Sequence, residues 1–209
     1  MDLVQVSTFF SVGLGLGVVH AFDPDHLAAV AGLNTDSTRG GKSYRWFGAR
    51  WALGHGTALL LVAVMVLFLG VARPDTFSQL AENSVAYLLI ALGVFPLWRL
   101  FMRHSLHNHA RIKSSLPQHS APLVGLVHGV AGSAPFLALL PLTKIDHPAI
   151  ALSYVLFFSA GVALAMTSLG ALIGMSLRYV EGKAQRLAVS LQMIFSLGAI
   201  VCGIHLLVQ

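Results

Sequence analysis

Charge is what this chain has least of: Asp, Glu, Lys and Arg together make up 10% of its 209 residues, against roughly a quarter in an ordinary soluble domain. That scarcity argues against a soluble enzyme. Cysteine is nearly absent too, Cys202 being the only one, so an internal disulfide framework and Cys-x-x-Cys redox chemistry are excluded. There is no P-loop to build in an ATPase and no His-Glu-x-x-His protease box. The first hydrophobic run has no basic segment ahead of it and carries charged residues near its centre, so it is expected to stay in the membrane rather than be cleaved as a signal peptide.

What is present in excess is apolar sequence, 56% of the chain. Six stretches lack Asp, Glu, Lys and Arg: 3–33 (interrupted only by Asp23 and Asp25), 51–72, 83–98, 114–143, 147–177 and 187–209. A bilayer-crossing helix needs about 20 apolar residues, and the short run 83–98 reaches that length once Arg99 and Arg103 snorkel. The expected fold class is therefore an all-α integral membrane protein with six transmembrane helices.

The net charge of +5 is topogenic in such a protein and does not point to nucleic acid. Of the 13 basic residues, all but Arg73 and Lys144 fall in three places. Arg39, Lys42, Arg45 and Arg50 lie in the 34–50 connection; Arg99, Arg103, Arg111 and Lys113 lie at the end of helix 3 and beyond it; Arg178, Lys183 and Arg186 lie in the 178–186 loop. The positive-inside rule puts these on the cytoplasmic side and both termini outside.

The chain also echoes itself. Gly17-Val18-Val19-His20-Ala21 matches Gly125-Leu126-Val127-His128-Gly129 at an offset of 108, and Gly56 with Gly161 and Gly93 with Gly198 follow at an offset of 105. A three-helix repeat reverses its orientation in the membrane, which predicts an inverted 3+3 pair with a site near the bilayer midplane. One transmembrane domain is expected over 1–209. Repeat 1 runs over about 7–103, a histidine-containing cytoplasmic loop over about 104–119, and repeat 2 over about 121–209. Small residues at Gly13/Gly17, Gly125/Gly129 and Gly170/Gly174 have the spacing that lets membrane helices approach closely.

The chemistry is concentrated in His20-Ala21-Phe22-Asp23-Pro24-Asp25-His26, inside the first span. An Asp at a helix centre costs about 2.5–3.5 kcal/mol to insert, a penalty that marks function when two occur together. His20, Asp23 and His26 share a helical face, whereas Asp25 points away unless the helix breaks. Pro24 supplies the break, removing the N–H that would bond the His20 carbonyl and freeing that carbonyl as a ligand. Two imidazoles with one or two carboxylates suit Ni²⁺, Co²⁺ or Zn²⁺ better than Mg²⁺ or Ca²⁺. His55, between Gly54 and Gly56, sits about one turn into helix 2 on the cytoplasmic side, and His128 is the repeat mate of His20. The mates of Asp23, Asp25 and His26 are Ala131, Ser133 and Ala134, so the second half brings no carboxylate. Ser133, Thr167 and Ser168 are weaker candidates, since hydroxyls in membrane helices often bond their own backbone. The loop histidines His104, His107, His109 and His119 form a candidate metal-collecting segment.

His20-x4-Asp25-His26 resembles the signature of the nickel/cobalt transporters. The glycine-flanked His55 and the His128-Gly129-Val130-Ala131-Gly132-Ser133 run are similar to segments of that superfamily's six-helix, urease-accessory-like branch. Pro24 stands where the family pattern has Ala, and the later spans contain no acidic residue in their interiors. The resemblance implies transition-metal permeation across the cytoplasmic (inner) membrane, with His20, Asp25 and His26 as metal-site residues and Asp23 beside them. The expected function is thus secondary transport of Ni²⁺ or Co²⁺, in the direction of uptake. No enzymatic activity and no prosthetic group are expected. The partners are the divalent ion and the lipid bilayer, with a homo-oligomer or a metallochaperone open and no nucleic acid. Proton-coupled efflux and a non-transporting metal-delivery protein use the same residues. A His-x4-Asp acyltransferase does as well, but it would need the pair at the interface rather than mid-span.

Overall fold

The computed structural model describes residues 3–33, 41–69, 75–105, 120–131, 147–183 and 185–208, and the regular structure among them is helical throughout. The elements are α1 (Leu3–His20), α2 (Pro24–Leu33), α3 (Gly41–Leu69), α4 (Asp75–Ser105), α5 (Ser120–Val130), α6 (Pro148–Lys183) and α7 (Gln185–Val208). Four apolar windows are long enough to cross a bilayer: Trp46–Phe68, Glu82–Met102, Pro148–Ser176 and Val189–Val208. α1 and α2 form a fifth if taken as one span bent by 63°. These apolar helices make this a membrane protein. Of the span expected over 114–143, the described part is the 11-residue α5, about 16 Å long at 1.5 Å per residue; residues 132–146, with Ser133, lie outside the described residues.

Two helices run further than the apolar pattern suggests. Lys42, Arg45 and Arg50, expected in a connection, belong to α3, and Arg178 and Lys183, expected in a loop, belong to α6. Neither segment contains proline, and Lys and Arg are good helix formers, so nothing in the sequence stops the helix where its apolar part ends. The loop histidines His107, His109 and His119 lie outside the described residues.

α3 and α6 pack against each other at the centre, with α1 against α6, α5 against α3, and α4 paired with α7 on the flank. Trp51, Leu59, Leu89, Tyr154, Phe158 and Met166 fill the core. Close crossings are made by glycines against backbone. A Cβ on Gly17 would strike the Phe158 carbonyl and one on Gly161 the Leu14 carbonyl, where α1 crosses α6. Where α5 crosses α3, Gly125 meets the Trp51 carbonyl and Gly54 the Pro122 carbonyl in the same pattern. Leu14 and Gly17 thus correspond to Pro122 and Gly125 at an offset of 108, and Trp51 and Gly54 to Phe158 and Gly161 at 107. In the α4–α7 pair, Gly93 lies against Ser196 and Ile200, and Gly203 lies against Ala86 and Ile90, an offset of 110. Gly54 and Gly161 thus make like contacts, as do Gly93 and Gly203, whereas Gly198 has no neighbour among the described residues within 4 Å of its Cβ position.

Candidate metal centre

The centre is built at the break between α1 and α2. After His20 the chain makes a turn in which Phe22 N–H donates to the Val19 carbonyl and Asp23 N–H to the His20 carbonyl, each at 3.0 Å. Pro24 then opens α2, as Asp-Pro does at helix starts, where the missing N–H is not needed. Asp25 in that first turn favours the positive helix end. The break expected at Pro24 is present, but the expected free carbonyl is not: the His20 oxygen is occupied by Asp23 N–H. The bend folds His26 back against His20, with ring centroids 4.5 Å apart.

α3 brings His55 to the same place. Because α3 begins at Gly41, His55 lies near the middle of the Trp46–Phe68 apolar window rather than one turn from its helix end, as its distance from the charged residues suggests. The glycines beside it do not leave open space. Gly54 receives the Pro122 carbonyl of α5, and a Cβ on Gly56 would lie 3.1 Å from the Ser159 Cβ of α6, so they are the points where α3 meets its neighbours. From the other side α5 presents His128, whose Nδ1–H donates to the Val124 carbonyl at 2.9 Å.

His20, His26, His55 and His128 are all 2% exposed or less. His26 is the hub, its ring centroid lying 5.2 Å from that of His55 and 5.7 Å from that of His128. The Nε2 atoms of His26 and His55 are 3.4 Å apart, and ligand atoms of His20, His26 and His55 fall within 4.8 Å of one another. Asp23 Oδ2 lies 2.8 Å from His20 Nδ1 and Asp25 Oδ1 lies 3.1 Å from His26 Nδ1. All six predicted residues therefore converge. Among the described residues four imidazole nitrogens, His20 Nδ1 and Nε2, His55 Nδ1 and His128 Nε2, are buried without a hydrogen bond, although His20 Nδ1 has the Asp23 carboxylate 2.8 Å away; each such atom costs about 1–3 kcal/mol unless a ligand satisfies it. The imidazoles of His20, His26 and His55, with ligand atoms this close together, are a donor set for a divalent first-row ion. Of the weaker candidates, Ser168 Oγ donates to the Leu164 carbonyl at 2.8 Å, bonding its own helix.

With that geometry in view, the chain's relatives can be set beside it. It is similar to a urease accessory protein. The match is to UreH of Bacillus sp. (strain TB-90), 29% identical over 184 residues that cover 83% of this chain and 79% of that protein. A second match, 24% identical over 216 residues, is to the chloroplast protein FOR GROWTH AND FERTILITY 2 of Arabidopsis thaliana, and it covers 98% of this chain and 57% of that protein's length. No family model and no solved structure matches.

Trp51 was not legible as part of the site. It stacks on His55 with centroids 5.1 Å apart and planes at 18°, meets His26 edge-on at 4.9 Å and approaches His128 at 5.5 Å. Its signal in the sequence is the i, i+4 spacing to His55, which places both on one helix face. Phe158, its counterpart on α6, lies 5.5 Å from His20. Trp51 thus lies against three of the imidazoles and Phe158 against the fourth.

Proposed function

We propose that this protein is a secondary transporter that carries a divalent transition-metal ion, Ni²⁺ or Co²⁺, across the cytoplasmic membrane, inward, through the cluster of His20, Asp23, Asp25, His26, His55 and His128. The observation that carries the reading is four fully buried histidines with two carboxylates at the break in a bent apolar helix pair. Ionisable groups at such a place mark ion pathways, and broken helices in transporters hold ions near the midplane. The resemblance to nickel/cobalt transporters and the similarity to a urease accessory protein support Ni²⁺ over other divalent ions. Inward movement of a dication down an inside-negative potential releases about 4.6 kcal/mol per 100 mV, enough for about a thousand-fold accumulation without ATP.

The matched glycine crossings of α1 with α6 and of α5 with α3 support an inverted 3+3 repeat. In it α1 with α2, α3 and α4 form one half, and α5 with the residues after it, α6 and α7 form the other, with both termini outside. A metal-delivery role without transport is the second reading, favoured by the printed name of the bacterial relative.

The test is metal entry into liposomes holding the purified protein under an imposed inside-negative potential, comparing Ni²⁺, Co²⁺, Zn²⁺ and Mn²⁺. Potential-driven entry that is lost in His20→Ala is expected. Tight binding of Ni²⁺ with no flux in either direction refutes transport and leaves delivery.

A further inference from the structure

We propose that the ion is held by imidazole nitrogen alone, from His20, His26, His55 and His128, and that Asp23 and Asp25 are positioning residues rather than ligands. This rests on the metal-site reading above and assigns the roles within it. In three of the four histidines Nδ1 faces an oxygen: it is hydrogen-bonded to Asp25 Oδ1 at 3.1 Å in His26 and to the Val124 carbonyl at 2.9 Å in His128, and in His20 it has Asp23 Oδ2 2.8 Å away as an ion-pair contact. That leaves Nε2 for the ion, with the carboxylate on the far side of the ring. The His55 ring has no acceptor on Nδ1, and Trp51 stacked on its face orients it instead.

Distances and burial agree with this division. Two nitrogens bound to one tetrahedral ion at 2.0–2.1 Å lie about 3.3–3.4 Å apart, and His26 Nε2 and His55 Nε2 are 3.4 Å apart. Among the described residues, the group whose ligand atoms gather within 4.8 Å is made of three imidazoles, His20, His26 and His55, and His128 stands beside it with its ring centroid 5.7 Å from that of His26. The carboxylate side chains stand at the rim, Asp23 36% and Asp25 22% exposed, while the histidines they touch are 2% exposed. Electrostatics favours the arrangement as well. Four neutral imidazoles leave a dication uncompensated in an apolar slab, and two carboxylates acting through the rings balance it and raise the basicity of Nε2. Because carboxylate oxygen stays out of the inner shell, the site is selective for ions that favour imidazole, such as Ni²⁺, over Mg²⁺ and Mn²⁺.

The experiment is a Co²⁺ titration of the purified full chain in detergent, followed by the visible absorption bands that report ligand number and geometry. Asp23→Asn and Asp25→Asn are each expected to keep the wild-type band positions while binding about 10–100-fold more weakly, because the amide oxygen still accepts from Nδ1–H. His26→Ala should shift the bands. A band shift in either Asn variant like that of His26→Ala would overturn the assignment by placing a carboxylate in the shell. Ni²⁺ X-ray absorption on the wild-type chain needs no variant: scattering from four imidazole rings is expected, and two rings with oxygen filling the shell overturns the proposal. Absence of Co²⁺ and Ni²⁺ binding to the wild-type chain refutes the metal site itself, a result distinct from binding through carboxylate.

Discussion

The two halves of the chain are packed alike and equipped differently. Gly17 on Phe158 and Gly125 on Trp51 are equivalent crossings, and His20 and His128 stand at equivalent places just beyond them. Yet the first half adds Asp23, Asp25, His26 and His55, whereas the second has Ala131 where the first has Asp23. Helix contact in a membrane depends on small residues and backbone approach, which either half can meet with any side chains on its other faces. Ion binding needs specific donors, and one set at the shared centre is enough.

The largest effect that comparison predicts is at His26, whose ring lies against those of His20, His55 and His128. His26→Ala should reduce metal uptake by liposomes at least about 100-fold while the protein still elutes as a folded species; full uptake by this variant removes the proposed site. Next comes the pair of mates. His20→Ala should cost more affinity than His128→Ala, because His20 belongs to the tight trio and carries a carboxylate on its ring; equal losses in a titration of both variants would mean that the halves share the ion evenly. The packing should respond in the opposite way. Gly17→Ala and Gly125→Ala each drive a methyl into a backbone carbonyl, and both should lower stability by about 1–3 kcal/mol, read as similar drops in thermal midpoint. The smallest effect belongs to Gly198→Ala, which meets nothing within 4 Å and should leave stability unchanged or raise it by up to about 1 kcal/mol. Gly203→Ala, against the Ala86 carbonyl, should lower it.

Much of this was legible along the chain because it is written locally. Apolar length gave the helices, and Pro24 gave the break. The six candidate residues are recognisable because charged and imidazole groups in an apolar run have few uses. The non-local facts were harder to see. Gly, Ala and Leu recur throughout membrane helices, and only contact across a helix pair shows that Gly93 and Gly203 make like approaches. The place of His55 along its helix is not legible either, because basic residues suggest a helix end, whereas α3 continues through them. The His20 carbonyl is occupied because the turn tightens to accept Asp23 N–H, a closure that the lost proline bond does not reveal.

The ends of the helices have one more consequence. α1 stops at His20 and α5 stops at Val130, two residues past His128, so each half points the negative end of a helix dipole at the cluster, worth roughly half an elementary charge. The opposing positive end, at the start of α2, is met by Asp25 in its first turn. A cation near the cluster is drawn by peptide groups of both halves as well as by carboxylates of one. That part of the attraction has no proton to gain, so it persists at acidities where carboxylates would be neutral.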